Sequence, residues 1–377
     1  MNKLILSALV ISGLSLSACH HAIDKSKDDS SQDDGVAFPQ SSSVLSKWLR
    51  SNVGDYWRFA RENSVLSNYA SSVGVVVGDA HLANFAPIPV KGADGTSSMA
   101  YLDIDFDDAG EAPFALDLLR LVATSKATKL EVKTKDMVAA YIKGLRNEPV
   151  EAPAEIRQYL NMSADDYRKL LSDDLDSKTN SQGFKMKPGK IEKYEGPLTR
   201  ADLQAMVPTD VTVLDIASRP VDDGGNLGGE RIWIYGKDSS GLRRLFELKA
   251  YSPTELSAYQ TQREMTSWAW LVRNTLWSHV ATGEYELASR GSHGIYWFRE
   301  KKLTLIDIPY SSNDKSDVNL VKRLAVYDAF VLGNLHASQP SVSALRDQLS
   351  TAAEQEAFAE AIKLAAKAYL ADVASRL

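Results

Sequence analysis

The chain has 377 residues, a formal net charge of −6 and a single cysteine. A hydrophobic fraction of 44% is enough to build a large folded core. No basic run of the kind that binds a nucleic-acid backbone occurs, so nucleic acid is excluded as a partner, and a lone cysteine excludes a disulfide within the chain.

The first 18 residues are predicted to be a secretory signal. An early Lys3 precedes an apolar stretch that is too short to span a bilayer. The stretch ends in Leu-Ser-Ala-Cys at 16–19, which resembles the lipobox of bacterial lipoproteins. The resemblance implies a lipid on Cys19 that attaches the chain to the cell envelope. By the same resemblance, His20 after the cysteine favours the periplasmic face of the outer membrane. An ordinary signal peptide with a chance cysteine is the alternative.

Residues 19–43 are rich in Ser and Asp and nearly devoid of large apolar side chains, so we expect a disordered tether. Residues 44–69 then show helical spacing. The core candidates in this helical region are Leu45, Trp48, Leu49, Trp57 and Phe59.

The segment 73–77 is a short β-branched apolar run, which predicts a buried strand. Polar and titratable side chains follow at the end of that strand, in the sequence Gly-Asp-Ala-His-Leu-Ala-Asn-Phe at 78–85. Because loops that follow rigid strands often carry function, Asp79, His81 and Asn84 are candidate site residues.

A second acidic segment follows at 101–108. Leu102, Ile104 and Phe106 alternate with Asp103, Asp105 and Asp107, which predicts a strand with carboxylates on one face. Such carboxylates would raise one another's pKa unless a cation lay among them. An EF-hand calcium loop is excluded, because Asp108 stands where that loop requires Gly and Phe114 where it requires Glu. A solvated strand face remains the alternative.

Helices are predicted over 116–129, 137–145 and 154–175, with Ser163 as an N-cap inside the last of these ranges. The polar segment 177–197, broken by glycine and proline, predicts a loop or a boundary between lobes.

Strands are predicted next, around a glycine-rich segment at 224–229 that includes Gly225, Gly228 and Gly229. A turn at 238–241 separates the strand 232–235 from the strand 245–250, in which Lys249 lies within an apolar frame. A glycine-rich turn by itself is weak evidence of phosphate binding. A buried lysine needs an acidic partner, and the following helix, 254–276, offers Glu255 and Glu264, of which Glu264 lies deeper in the helix. Arg231 is a further candidate phosphate contact.

The last third of the chain predicts strands at 296–298 and 303–308, followed by helices at 326–337 and 352–377. His336 lies on an apolar helix and is expected to be a packed core histidine.

The combined motifs resemble those of kinases. Asp79 and Asn84 have the spacing of a kinase catalytic loop, and the form Gly-Asp-x-His-x-x-Asn resembles aminoglycoside and choline phosphotransferases. The whole run 78–121 resembles the bacterial domain of unknown function 2252 family. The usual second motif of that family has Asn before Asp-Phe-Asp, whereas Ile104 stands there in this chain.

The resemblance implies a site for ATP and Mg²⁺ in which several of these residues have a defined role. Asp79, with His81, would be catalytic, and Asn84, Asp105 and Asp107 would bind the metal. Asp117 would be a structural carboxylate at the start of a helix. Lys249, paired with Glu264, and the glycine-rich turn with Gly225, Gly228 and Gly229 would bind the nucleotide.

The order of these motifs is the reverse of that in ordinary kinases, so we predict an α+β, two-lobed, kinase-like fold in circularly permuted order. The predicted divisions are a signal peptide (1–18), a tether (19–43) and a C-lobe portion with the catalytic and metal motifs (44–200). A β-rich nucleotide-binding portion (201–310) and helices that complete the C-lobe (311–377) follow.

The predicted function is a phosphotransferase that uses ATP and Mg²⁺ on a small-molecule hydroxyl or amine. Because an exported protein meets little ATP, the alternative is a non-catalytic, pseudokinase-like protein that binds a small-molecule or nucleotide ligand. A metal-dependent phosphohydrolase built on His81 and the Asp cluster is a weaker alternative, because these ligands suit Mg²⁺ better than a hydrolytic zinc.

Overall fold

The computed structural model describes residues 42–91, 96–106, 108–127, 132–220, 231–250, 285–289, 295–301, 303, 305–309 and 314–377. The predicted signal peptide, Cys19, Asp107, the glycine-rich segment and the helix 254–276 with Glu255 and Glu264 lie outside these residues. Helices and largely antiparallel strands are both present, which confirms the α+β class. No helix among the described residues is long and apolar enough to span a bilayer.

Two amphipathic helices open the described chain, α1 (Ser42–Ser51) and α2 (Val53–Glu62). They bury Leu45, Leu49 and Trp57, as the helical spacing predicted. Four strands follow and form two separate antiparallel pairs, β1 with β4 and β2 with β3. Their bounds are β1 (Val73–Val76), β2 (Phe85–Lys91), β3 (Ser97–Asp103) and β4 (Gly110–Pro113).

The middle of the chain contributes the helices α3 (Phe114–Lys126), α4 (Thr134–Leu145), α5 (Ala154–Leu160), α6 (Ala164–Asp174) and the short α7 (Arg200–Gln204). The predicted helix 154–175 is therefore divided in two, and Ser163 caps the second part by accepting a hydrogen bond from the Asp166 backbone N at 3.0 Å.

The short strands β5 (Thr179–Asn180), β6 (Gly183–Phe184) and β7 (Glu192–Lys193) lie in the predicted loop region. The main sheet is antiparallel with six strands in the order β11-β12-β10-β9-β8-β7. Its longer strands are β8 (Val211–Ser218), β9 (Arg231–Asp238), β10 (Arg243–Ala250), β11 (Tyr285–Ser289) and β12 (Ile295–Glu300).

The described chain ends with the helices α8 (Lys315–Ala337), α9 (Ser343–Gln348) and α10 (Ala352–Arg376). Helix α8 packs tightly on α4, where glycines face each other. A Cβ on Gly144 would lie 2.2 Å from the Phe330 carbonyl oxygen, and one on Gly333 would lie 2.2 Å from that of Tyr141. Only glycine permits so close an approach of two backbones.

The largest apolar core joins both ends of the described chain, from α1 to α5 and from α8 to α10. At its edge Arg376, at the end of α10, binds the Asp55 carboxylate of α2 with N–O distances of 2.6 and 2.8 Å. The main sheet has its own apolar core on one face. The two ends of the described chain thus form a helical body, and the part between them forms the main sheet.

Two strand predictions are wrong in part. Strand β3 ends at Asp103. The Ile104 backbone N still bonds to the Asn84 carbonyl in the β2–β3 register (2.7 Å), but the Asp105 N bonds to the side-chain Oδ1 of Asp103 (2.9 Å). The bond to the Asp103 side chain takes Asp105 out of the ladder, so Asp103 and Asp105 do not share one strand face. In addition, the face of β3 that carries Asp103 is the buried one, together with Met99 and Tyr101.

The predicted strand 303–308 is absent among its described residues. Its backbone groups bind helix side chains instead of a neighbouring strand. The Leu303 N donates to the Tyr167 hydroxyl at 3.1 Å, and the Leu305 carbonyl accepts from the Tyr159 hydroxyl at 2.8 Å. The alternation of Leu303 and Leu305 resembled that of a strand, but both side chains line a cleft together with Ile306 and Ile308.

Candidate functional site

Asp117, in the first turn of α3, fixes the backbone of the loop after β1. Its buried carboxylate accepts hydrogen bonds from the Val77 N at 2.9 Å and the Gly78 N at 3.1 Å. The Trp57 indole donates to the Gly78 carbonyl at 2.9 Å, and Gly78 adopts a φ of 84°, which favours glycine. The backbone that presents Asp79 is therefore tightly fixed.

Asp117 also connects this loop to α8. His336 Nε2 lies 3.1 Å from Asp117 Oδ2, and His336 Nδ1 lies 2.8 Å from the Tyr141 hydroxyl. All three side chains are almost fully buried. His336 is thus a packed core histidine in a polar chain that supports the loop from inside.

Asp79 is 7% exposed and lies against the fully buried Arg120 of α3. The Arg120 Nε and Nη2 both contact Asp79 Oδ1, at 3.2 and 2.7 Å. Burial by itself raises the pKa of Asp79, but the neighbouring His81 and Arg120 outweigh burial and hold that pKa below its ordinary value of 3.8. Asp79 is therefore a carboxylate at neutral pH.

His81 and Asn84 lie beside Asp79 on the same loop. The Ala83 N donates to His81 Nδ1 at 3.2 Å, and His81 Nε2 lies 3.4 Å from Asp79 Oδ2. Asn84 donates through Nδ2 to the Asp79 carbonyl at 3.0 Å. Its amide oxygen is the atom suited to a metal ion.

The segment after β3 returns to this loop through the Ile104–Asn84 backbone bond described above. Asp103 is 2% exposed, and its Oδ2 has no hydrogen-bond partner among the described residues. Burial and the neighbouring carboxylates Asp105, Asp117 and Asp79 raise the pKa of Asp103 well above its ordinary range. Asp105, two residues on, is more exposed and meets the main sheet.

Lys249, near the end of β10, is the sheet residue that meets Asp105. Its Nζ lies 2.5 Å from Asp105 Oδ1, although the lysine is only 2% exposed. The sequence led us to expect a glutamate of the helix 254–276 as the partner, and that helix lies outside the described residues. Within the described residues, Asp105, which was predicted to bind the metal, and Lys249, which was predicted to bind phosphate, form an ion pair with each other.

A second buried charge network lies on the same face of the sheet. Glu247 accepts from Arg299 Nε and Nη2 at 3.0 and 2.7 Å and from the Trp233 indole at 2.9 Å. Lys301 Nζ lies 3.7 Å from Glu247. Burial would raise the pKa of Glu247, but Lys301, Arg299, Lys249 and Arg231 hold it well below its ordinary range.

A cleft of about 470 Å³ lies between the sheet and the helical body. Asn84, Asp105 and Asp307 line it together with four cationic side chains, those of Arg50, Arg231, Arg299 and Lys301. Apolar side chains, including Ile104, Leu303 and Ile306, complete the wall. The cleft therefore suits an anionic ligand with an apolar part.

Sequence reasoning missed Arg50, Arg120, Glu247, Arg299 and Lys301. For Glu247 the sequence did contain a signal, because this charged residue stands between apolar neighbours in Leu-Phe-Glu-Leu-Lys. Buried strands seldom carry an unpaired charge, so the pattern indicates a buried glutamate with a cationic partner. Arg120 carried the same kind of signal, since it stands between apolar neighbours in Leu-Leu-Arg-Leu-Val, whereas Arg299 did not. Of the predicted residues, the structure brings together Asp79, His81, Asn84, Asp105, Asp117 and Lys249.

Residues 64–186 match the family model described as an uncharacterized protein conserved in bacteria (DUF2252). The predicted resemblance is confirmed over this part of the chain, which contains Asp79, Asn84, Asp105 and Asp117. No curated protein and no solved structure matches the chain.

Proposed function

We propose that this protein is a phosphotransferase that binds ATP with Mg²⁺ in the cleft and transfers phosphate to a small-molecule hydroxyl or amine. The observation that carries the proposal is the Lys249–Asp105 pair. It connects the sheet to the acidic segment at the cleft, where a kinase-like site requires a phosphate-binding lysine opposite a metal-binding aspartate.

The proposed fold is kinase-like and circularly permuted. Three features support it: an antiparallel sheet with Lys249 on a central strand, a helical body that carries Asp79 and Asn84, and the position of the cleft between them. The Asp55–Arg376 pair supports the permutation, because it brings the two ends of the described chain together, as a permuted domain requires.

The residues fit a magnesium ion that is shared with a phosphate ligand. No group of three or more His, Cys, Asp or Glu side chains in the described part of the chain could hold a metal by itself. Mg²⁺ commonly uses one or two protein oxygen ligands and takes the remainder from water and substrate phosphates. Asn84 and Asp105 would be those ligands, and the ion would neutralise phosphate charge.

The cationic side chains would position the phosphates. Lys249 is a compact point charge that can leave Asp105 for a phosphate when Asp105 turns to the metal. Arg231 follows the predicted glycine-rich turn, and its buried Nε has no hydrogen-bond partner among the described residues. The apolar wall with Ile104 and Leu303 would hold the non-phosphate part of the donor.

Asp79 would orient the acceptor and receive its proton. Its depressed pKa makes it a weak base. A weak base suffices for a loose transition state, in which bond formation to the acceptor lags behind departure of the phosphoryl group.

A non-catalytic anion-binding protein is the second candidate. The observation that favours it is the position of Asp79, which is nearly buried, paired with Arg120 and absent from the cleft wall. The export predicted from the first 19 residues also favours it, since ATP is scarce outside the cytosol.

Asp79→Asn separates the two candidates. We expect transfer of labelled γ-phosphate from ATP to a panel of small alcohols and amines to fall by at least about 10²-fold, because the proton acceptor is lost. Affinity for ATP with Mg²⁺ should stay within about twofold. Asp166→Asn on the exposed surface of α6 is the matched control and should change neither quantity. No transfer by the wild type, with binding intact, would favour the non-catalytic candidate; equal loss of binding and transfer would make Asp79 structural.

A further inference from the structure

Arg299, like Lys249, is a residue of the main sheet that contacts the acidic segment after β3. It lies on β12 opposite Glu247 of β10 in the strand register. Two of its nitrogens bind Glu247, and the third, Nη1, donates to the Ile104 carbonyl at 2.9 Å and lies 3.4 Å from Asp105 Oδ1. One rigid guanidinium therefore joins a strand of the sheet to the backbone immediately before Asp105.

The contacts of Arg299 are protected from water. Arg299 is 5% exposed and Glu247 is 1% exposed, so the ion pair is weakly screened and must keep its geometry. The Trp233 indole fixes the other carboxylate oxygen of Glu247. Because Trp233 and Arg299 bind different oxygens of Glu247, the carboxylate is fixed, and it fixes the plane of the Arg299 guanidinium in turn. In this orientation the third nitrogen of Arg299 points at the Ile104 carbonyl.

We propose that Arg299 is a positioning residue that locks the Ile104–Asp105 segment onto the sheet and thereby sets the position of the Asp105 carboxylate. Lysine cannot replace it, because one ammonium cannot bind Glu247 through two nitrogens and reach the Ile104 carbonyl with a third. An effect of Arg299 on metal binding rests on the proposed function, in which Asp105 is a metal ligand. The attachment of the Ile104–Asp105 segment to the sheet by Arg299, which we call the lock, does not depend on that function.

The same pair of strands offers a matched control. Arg244 of β10 binds Glu300 of β12 with two nitrogens, one of them at 2.6 Å. Neighbouring residues of a strand point to opposite faces, so this pair lies on the other side of the sheet from Glu247 and Arg299. Arg244→Lys therefore weakens a cross-strand Arg–Glu pair without touching the Ile104–Asp105 segment.

Hydrogen exchange in the full chain tests the lock directly. In Arg299→Lys, and in Glu247→Gln as a second variant, we expect amide exchange in peptides covering 99–106 to rise about tenfold, because the Ile104 and Asp105 amides lose their support. Exchange in peptides of α10 should stay unchanged, which reports intact global folding. Arg244→Lys should leave exchange at 99–106 as in the wild type. Equal exchange at 99–106 in Arg299→Lys, Arg244→Lys and wild type would overturn the proposal.

A metal titration tests the consequence. With ATP present, the Mn²⁺ concentration for half-maximal binding should rise about tenfold in Arg299→Lys and stay unchanged in Arg244→Lys. If the wild type binds neither ATP nor Mn²⁺, the proposed function fails while the exchange result still decides the lock. Unchanged Mn²⁺ affinity in Arg299→Lys, with wild-type binding intact, would contradict a role for Arg299 in placing Asp105.

Discussion

Replacing Arg120 by methionine is expected to lower the free energy of unfolding by about 3–5 kcal/mol, because it leaves the Asp79 carboxylate buried without its arginine partner. Arg120 is fully buried, and it also donates through Nη2 to the Leu49 carbonyl at 2.7 Å. Methionine keeps most of the volume and removes the charge. Urea unfolding at about pH 7 measures the difference.

The double variant Arg120→Met with Asp79→Asn is the control, because it removes both charges together. Replacing a whole buried ion pair costs much less than removing one partner, so the double variant should be more stable than Arg120→Met alone. A double variant that is no more stable than the single one would show that the lost contacts of Arg120 elsewhere, and not the orphaned Asp79, cause the destabilisation.

The loss of stability caused by Arg120→Met is expected to become smaller as the pH falls. In the wild type the folded-state pKa of Asp79 lies below 3.8, so the stability it contributes is present above the unfolded pKa and is lost as the pH falls through the folded one. In the variant, burial is less opposed and raises the pKa of Asp79, so acid relieves the penalty. The difference between the two proteins should therefore shrink below about pH 4.

Replacing Asp117 by alanine is expected to cost about 3–5 kcal/mol, because three buried donors lose their acceptor: the Val77 N, the Gly78 N and His336 Nε2. The loop that carries Asp79 would lose its support at the same time. Thermal and urea unfolding measure the loss of stability, and exchange of the Val77 and Gly78 amides measures the local opening.

Asp314→Ala is the matched control for Asp117→Ala. Asp314 also accepts a backbone hydrogen bond at a helix start, from the Ser316 N at 2.7 Å, but it is exposed. Water replaces the lost acceptor there, so this variant should be affected far less. Similar losses in the two variants would mean that burial of the Asp117 network contributes little.

Much of the local structure around the candidate site could be predicted from the sequence. A β-branched run ending in Gly78 and Asp79 predicts a strand followed by a functional loop, and a lysine framed by apolar residues predicts the placement of Lys249 on a buried strand. These inferences depend on neighbours in the chain. They located the elements that carry the site.

The contacts that complete the site could not be predicted, because they join distant parts of the chain. Arg120 meets Asp79 across 41 residues, and Arg299 meets Ile104 across 195. Nothing local in the sequence identifies the partner of either arginine. Periodicity also misled at Asp105, where a hydrogen bond from its backbone N to the Asp103 side chain ends the strand although the alternation of residues continues.

We propose that the cleft binds a nucleotide through Asp105 in its wall and through the buried Lys249 paired with Asp105. The most direct measurement is a thermal-shift titration of the full chain with ATP, with and without Mg²⁺, in wild type, Lys249→Met and Asp105→Asn, with Arg244→Lys as the control. At a ligand concentration of about 100 Kd, binding adds about 2.7 kcal/mol, which raises Tm by about 3–6 °C. We expect that rise to need Mg²⁺, to be lost in Lys249→Met and Asp105→Asn, and to persist in Arg244→Lys. A well-folded wild type whose Tm does not move with any nucleotide and metal would contradict the claim.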